Sequence, residues 1–377
     1  MHATRNGTSE TTPELAAGGP TTPIGPAAVR LAPFVSVIIP CRNEARHVRA
    51  CLDSVLGGDY PADRLEVIVA DGASDDGTRK ILDAYALVRR DGPAMRVIDN
   101  PRRITPCGLN AAVRATRGEI IVRMDAHALY PADYVRRLVA ALLETGADVV
   151  GARIETIPAD ERPVPHAIAI GMSHPFGVGP SRFRIGTTTR QAVDHLPFFC
   201  CRRALFDRVG LFDEELVRNQ DGEFSSRVRR SGGTILLIPD VVARYFARDT
   251  MGKLRRTLYQ YGYFKPLTAR KIGRVMTVRQ LVPPAFVLTL AALATASLVS
   301  PAAALALALM GGVYACAVLA CCVVAARRVP VTTAAVLVLV FPVMHLAYGY
   351  GYLRRTAELA LRRRGPAPDA LAIPLSR

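Results

Sequence analysis

Hydrophobic and polar positions divide the chain into an alternating part and a continuous one. From Phe34 to about Arg230, short apolar runs alternate with stretches of helical spacing. Val35–Pro40 (VSVIIP) and Leu65–Ala70 (LEVIVA) are nearly uninterrupted apolar runs, the mark of strands buried on both faces. Arg96–Asp99, Glu119–Met124 (EIIVRM), Ala147–Ile154, Phe198–Cys201 and Thr234–Pro239 read as further strands. Between them, apolar residues three and four apart predict helices over 45–57, 78–88, 106–115, 131–145 and 219–231, the last closed by Gly232-Gly233. This order predicts an α/β domain with a mostly parallel sheet. Residues 158–196, broken by Pro, Gly, His and three consecutive threonines, are expected to form a mobile loop over the site. Residues 1–33 are rich in Pro, Gly, Thr and Ala without periodicity, and a disordered cytosolic tail is expected there.

The continuous part follows. Leu281–Ser300, Ala302–Ala326 and Val331–Gly349 contain no Asp, Glu, Lys or Arg. Each approaches the roughly 20 residues that cross a hydrocarbon core. A helical membrane region is therefore expected over 281–353, with two or three crossings. A third crossing would separate Arg354, Arg355 and Arg362–Arg364 from the other basic clusters, so one run is open to being re-entrant, broken at Pro283-Pro284 or Pro342.

Charge sharpens this picture. Lys and Arg total 48 against 32 Asp and Glu in 377 residues, a net charge of +16. Between Arg244 and Arg279 ten basic residues face one acid, Asp249, directly before the first apolar run. Such a block meets anionic lipid head groups, and no nucleic-acid-binding signature accompanies it. Membrane lipid is the expected partner and nucleic acid is not. The expected division is a tail (1–33), a catalytic domain (34–245), basic interfacial helices (246–280), membrane helices (281–353) and a basic tail (354–377). The eight cysteines form no C-x-x-C pair and read as reduced thiols, in keeping with a cytoplasmic catalytic domain at an inner or plasma membrane.

Three acidic clusters lie where strands end, the usual ligand crevice of open α/β sheets. They are Pro40-Cys-Arg-Asn-Glu44, Asp71-Gly72 with Ser74 and Asp76, and Asp125-Ala126-His127. Carboxylate and imidazole two residues apart suit a Mn²⁺ or Mg²⁺ ion bridging a diphosphate, although a polar turn closing a strand has the same spacing. Asn219-Gln-Asp-Gly-Glu-Phe224 puts Asp221 and Glu223 at a helix start. There they favour the helix dipole, or Asp221 serves as a general base. Neither a P-loop nor a G-x-G-x-x-G fingerprint is present.

On these residues the chain resembles the family 2 glycosyltransferases. The matching segments are VSVIIPCRNE, VIVADGASDDGT, Gly108-Leu-Asn-Ala-Ala, MDAH and Gln220-Asp221, spread from Phe34 to Tyr263. The D-A-H variant, N-x-D-G-E-F and Gly232-Gly233 look most like the succinoglycan-type branch of exopolysaccharide assembly. The resemblance implies a GT-A fold and inverting transfer from a nucleotide diphosphate sugar to a hydroxyl of a polyprenyl-linked saccharide. It places Pro40, Arg42, Asn43, Glu44, Asp71, Ser74, Asp76, Asn110 and Asp125 around the nucleotide sugar, with Glu44 and Asp71 on a nucleoside that is expected to be uridine. It assigns Asp125 and His127 to the Mn²⁺ or Mg²⁺ ion and Asp221 to the base. Gln220, Glu223, Gln260, Tyr263 and Lys265 fall on the acceptor or membrane-proximal side. Two departures stand out: Gln220 replaces a Glu, and His127 replaces a second Asp. Only Gln260 matches the Q-x-x-R-W pattern of processive relatives, which favours single addition. Competing readings are direct transfer to a polyprenyl phosphate, nucleotidyl transfer, and a non-catalytic nucleotide-sugar-binding membrane protein.

Overall fold

The two strands with the most continuous apolar runs set the frame. In the computed structural model, which describes residues 32–88, 92–275 and 277–361, β1 (Val35–Cys41) and β2 (Leu65–Asp71) are buried along almost their whole length. They pair in parallel, Val35 with Leu65 through Cys41 with Asp71, so their chemistry-bearing ends emerge side by side. The strands β3 (Ala94–Asp99) and β4 (Ile120–Arg123) extend this parallel sheet on the two sides. Residues 1–31 and 362–377, which include most of the expected first tail and Arg362–Arg364, lie outside the described residues.

Five more strands complete a mixed sheet: β5 (Ala128–Leu129), β6 (Val149–Ile157), β7 (Gln191–Ala192), β8 (Phe199–Arg202) and β9 (Ile235–Phe246). The order is β3-β2-β1-β4-β8-β6-β9-β5, with β7 also on β9. The long ladders are parallel, as expected, while β8 runs antiparallel between β4 and β6 and sets Phe199 opposite Arg123. Sequence spacing ends the last strand at Pro239, yet β9 continues to Phe246. The register with β6 shifts between Ala152 and Arg153, so Ile238 and Val242 pair with neighbours and Pro239 sits in the irregularity between them. A bulge is where a strand tolerates a residue without an N–H.

Residues 158–196 correct the expectation of a mobile loop. They form helices at Pro163–Ser173, Pro175–Val178 and Arg182–Ile185 and the short β7. The prolines that argued against helices occupy first turns, where the missing N–H costs nothing. Ala167, Ile168, Ala169 and Met172 are buried in one cluster with Leu337, Val340, Phe341 and Met344 of the last long helix.

A 22-residue helix, Met251–Ile272, leads out of the sheet domain, capped by Thr250, whose hydroxyl accepts from Lys253 N. Among the described residues, three helices long and apolar enough to cross a membrane follow: Val278–Ala296, Pro301–Ala326 and Val331–Leu361. Pro283 and Pro284 fall at the start of a helix, and Pro342 lies inside an unbroken one, so neither divides its run. Leu305, Val313 and Leu339 are each more than 60 % exposed, an outward apolar surface suited to lipid. All eight cysteines are free thiols.

Met251–Ile272 and Val331–Leu361 approach at backbone distance. A Cβ on Gly262 would overlap the Tyr348 carbonyl oxygen, and one on Gly351 would overlap that of Tyr259. Beside this contact, buried Arg355 donates to the Tyr263 hydroxyl at 3.1 Å and to Glu358 at 3.2 Å, and Tyr263 donates to Glu358. Overpacking typically costs about 1–3 kcal/mol, and a backbone neighbour yields less readily than a side chain. Gly262→Val should therefore lower the midpoint of thermal unfolding in detergent by several degrees, about 2–4 °C per kcal/mol lost in a larger domain. Gly252→Ala, with open space around the added methyl, should not lower it. Equal midpoints for Gly262→Val and the parent would contradict the close packing.

Candidate active site

The loops after β1 and β2 are stitched to each other. Asn43 N donates to Ser74 Oγ at 2.9 Å, the Asn43 amide exchanges hydrogen bonds with Asp75, and Glu44 N donates to Thr78 Oγ1 at 2.8 Å. Asp76 accepts from Ala45 N, Thr78 N and the Thr78 hydroxyl, bonds that outweigh its desolvation and hold its pKa below the usual range. Asp71 is 2 % exposed and accepts from Ser74 Oγ at 2.6 Å. Asn43 and Ala73 both take positive φ (53° and 52°) to make the two tight reversals. Asn43 and Asp76 thus fix loop shape, and Asp71 and Ser74 act as a pair.

After β4 the chain carries Arg123, Asp125 and His127. Arg123 donates to Asp125 Oδ1 at 2.9 Å and lies over the Phe198 ring. Its Nε and Nη1 are buried, with no partner among the described residues. Burial raises the Asp125 pKa, Arg123 opposes this, and the charge of Asp221 adds to it. His127 is 2 % exposed, its Nδ1 is 3.3 Å from Glu44 Oε1, and its ring stands edge-on to Tyr245. Burial first, then Arg248 and other cations, holds the imidazole well below its ordinary pKa and so neutral.

Asp221 sits in the first turn of the helix Gln220–Arg230, after Asn219 in a left-handed conformation, and its Oδ1 accepts from Gly222 N at 2.9 Å. Desolvation opposes its charge, but His195, Arg123, Lys265 and that N–H together keep it below the usual carboxylate range. The segment is fastened from outside. Arg218 Nε donates to Gln260 Oε1 at 3.1 Å, and Asn219 Nδ2 donates to the Tyr261 carbonyl at 3.2 Å, both on the helix Met251–Ile272. Burial pushes Lys265 down to about 8 against the pull of Asp221, and pushes His195 down to about 4.

One cavity of about 570 Å³ joins these parts. Of the sequence-predicted residues it brings together Pro40, Asp125, Gln220, Asp221 and Lys265. The others lie off its wall. Asn110 bridges to Phe212 and Glu214, Glu223 is held by Arg227 at 2.8 and 2.9 Å, Gln260 is buried behind Arg218, and Tyr263 belongs to the clamp with Arg355. Arg42, Asn43, Glu44, Asp71, Ser74, Asp76 and His127 belong to the strand-end loops beside it. The cavity adds Arg123, His195, Arg218, Tyr245 and Arg279, which pattern reading did not select. A charged residue inside EIIVRM was the one available signal for Arg123. Among the described residues, no group of three or more His, Cys, Asp or Glu side chains is arranged to hold a metal ion. Of the two residues that the sequence suggested for a divalent ion, Asp125 lines the cavity and His127 lies off its wall.

Comparison with known proteins now adds to this geometry. Residues 36–211 match the domain described as glycosyl transferase family 2. The chain is similar to the succinoglycan biosynthesis protein ExoA of Rhizobium meliloti, 32 % identical over 66 % of this chain and 73 % of that one. A second relative is the dolichyl N-acetyl-alpha-D-glucosaminyl phosphate 3-beta-D-2,3-diacetamido-2,3-dideoxy-beta-D-glucuronosyltransferase of Methanococcus voltae, 22 % identical over 63 % and 74 % of the two chains. In fold, the mannosyltransferase PcManGT of Pyrobaculum calidifontis, solved with GDP-Man and Mn²⁺, aligns over 88 % of each chain with a TM-score of 0.53 and 24 % identity.

The fastening of 218–222 makes a prediction of its own. Removing a hydrogen bond to a charged group costs about 1.5–3 kcal/mol, enough to raise local opening tenfold or more. Gln260→Ala should speed amide hydrogen exchange in a peptide spanning 216–226 about tenfold. Unchanged exchange there would show that the helix Met251–Ile272 does not hold the segment.

Proposed function

Since the chain belongs to glycosyl transferase family 2, we propose that it is a membrane-bound enzyme that moves a sugar, with inversion, from a nucleotide diphosphate sugar to a hydroxyl of a lipid-linked saccharide. The nucleotide is uridine diphosphate, and the product enters exopolysaccharide or cell-envelope glycan. The observation that carries this reading is one cavity whose wall runs from Asp125 and Asp221 to Val282, Phe286 and Met344 of the long apolar helices. A water-soluble donor and an amphiphilic acceptor meet the same carboxylates only in a space of that kind. The relative named for a dolichyl-linked sugar phosphate and the relative named for succinoglycan biosynthesis support the acceptor and pathway.

In this reading Asp221 accepts the proton of the acceptor hydroxyl as its oxygen attacks the anomeric carbon. The bond from that carbon to the diphosphate oxygen breaks on the opposite face, which inverts the centre. The lowered pKa of Asp221 keeps it ionised for this role at neutral pH. Arg123, with two buried donors free among the described residues, meets charge developing on the leaving diphosphate. When bound at Asp125 and His127, Mn²⁺ or Mg²⁺ supplies further electrostatic stabilisation there. Asp71 and Glu44 hold the nucleoside at the ends of β1 and β2. The sheet domain, taken as 34–245, faces the cytoplasm, with the basic stretch 246–280 against anionic head groups and 281–353 in the membrane.

Full-length protein in detergent, given labelled UDP-, GDP- and TDP-sugars, a divalent ion and a polyprenyl-linked acceptor extract, should form lipid-linked product from one donor. Asp221→Asn should lower that rate at least about a hundredfold, the lower range for a lost general base. Product that survives in Asp221→Asn would point instead to a lipid phosphate as nucleophile, which needs no base. Chelation with EDTA should abolish transfer and Mn²⁺ or Mg²⁺ restore it. Undiminished turnover in EDTA would remove the metal role of Asp125 and His127.

A further inference from the structure

The membrane-side half of the cavity holds two cations, of which Lys265 also bears electrostatically on Asp221. Lys265, on the helix Met251–Ile272, and Arg279, on the turn Val278–Leu281, both line it. Among the described residues neither makes a hydrogen bond or salt bridge to a protein acceptor. The contrast within the same helix is informative. Lys253 is matched by Asp249, and Lys271 by Asp213 and Glu215, each within 3.0 Å. Among the described residues, the one lysine of that helix left without such a partner, Lys265, is the one that lines the cavity.

Their surroundings are built to keep them there. Gly179 has φ of 65°, and a Cβ at that position would lie 3.1 Å from Arg279 Cδ, so glycine both makes the turn and leaves room for the arginine stem. Thr277 Oγ1 is buried on the same wall without a partner among the described residues. Two cations and a buried hydroxyl on the wall of one cavity favour a bound anion beyond the charge that Asp221 supplies to Lys265. Immediately beyond, the wall turns apolar, with Val282, Pro283, Phe286, Tyr314 and Met344. This end is fixed in shape: the Phe176 carbonyl, which only accepts, lies 2.8 Å from His345 Nε2, so Nδ1 accepts from the Tyr314 hydroxyl, also at 2.8 Å.

We propose that Lys265, Thr277 and Arg279 form a subsite for the phosphate headgroup of an isoprenoid carrier, whose chain leaves past Phe286, Tyr314 and Met344. The inference rests on the reading of a lipid-linked acceptor. It separates two anion positions in one cavity: the donor diphosphate beside Arg123 and Asp125, and the carrier phosphate on the membrane side. An anion with an apolar tail fits the second position, because cation and apolar wall adjoin.

Equilibrium binding to the full-length protein in detergent tests this without turnover, using labelled farnesyl diphosphate, farnesol, inorganic pyrophosphate and UDP. Farnesyl diphosphate should bind at least about tenfold more tightly than either farnesol or pyrophosphate, since each lacks one half of the ligand. Arg279→Gln and Lys265→Gln should each weaken farnesyl diphosphate about tenfold, the loss of one charge-assisted contact, and leave UDP within twofold. Arg279→Lys should retain more affinity than Arg279→Gln, and UDP binding reports that each variant is folded. Equal binding of pyrophosphate and farnesyl diphosphate would overturn the apolar part. Variants that weaken UDP in step would assign these cations to the donor and overturn the subsite, as would farnesyl diphosphate binding that no variant changes. Binding as expected in a protein that turns over no donor would leave the subsite standing and remove the transfer reading.

Discussion

The contact on which the active-site geometry depends is the backbone-close seating of Met251–Ile272 on Val331–Leu361. Gly262 and Gly351 permit it, and the Tyr263–Arg355–Glu358 clamp fixes its register. Gln260 and Tyr261 lie on the same two turns and hold Arg218 and Asn219, the residues that lead into Asp221. The helices Val331–Leu361 and Met251–Ile272 and a cavity carboxylate thus form one mechanical chain. Side-chain contacts alone would leave such a chain compliant. Two glycines that bring backbones together make it stiff, because packed interiors have little room to yield.

Electrostatics divides the cavity in a second way. Asp125 and Asp221 influence each other, yet burial and the neighbouring carboxylate push Asp125 up while His195, Arg123 and Lys265 draw Asp221 down. Carboxylates whose surroundings move their pKa values apart are suited to separate tasks. Asp221, which accepts from Gly222 N, is the one held in its ionised form. Asp125 is bonded to Arg123 and, by burial, held toward its neutral form. Among the cationic residues, Lys271 is paired with Asp213 and Glu215, whereas Arg279 faces the cavity.

The parts of this fold that sequence makes readable are those that repeat along the chain. Buried strands such as Val35–Cys41 announce themselves by continuous apolar runs, and Asp71, Asp125 and Asp221 by their place at element ends. Residues 158–196 were misleading because proline and glycine mark both loops and helix starts. The helix Pro163–Ser173 is stabilised by partners more than 150 positions away, at Leu337 to Met344. The same limit applies within the site. Nothing in the order of residues shows that Asn110 is engaged by Phe212 and Glu214 or Glu223 by Arg227, nor that Arg218 and His195 turn inward. Side-chain allegiance is a tertiary property, and Arg123, a charge inside an apolar strand, is the exception with a local cue.

The central proposition is that the strand ends and the apolar helices share one working chamber. A photoreactive isoprenoid diphosphate, cross-linked to the full-length protein in detergent and mapped by peptide mass spectrometry, tests it most directly. The account predicts adducts on Val282–Phe286, around Tyr314 and between Met344 and Tyr348, suppressed by excess farnesyl diphosphate. Adducts confined to the outward faces of Leu305, Val313 and Leu339, with none on the cavity side, would contradict it.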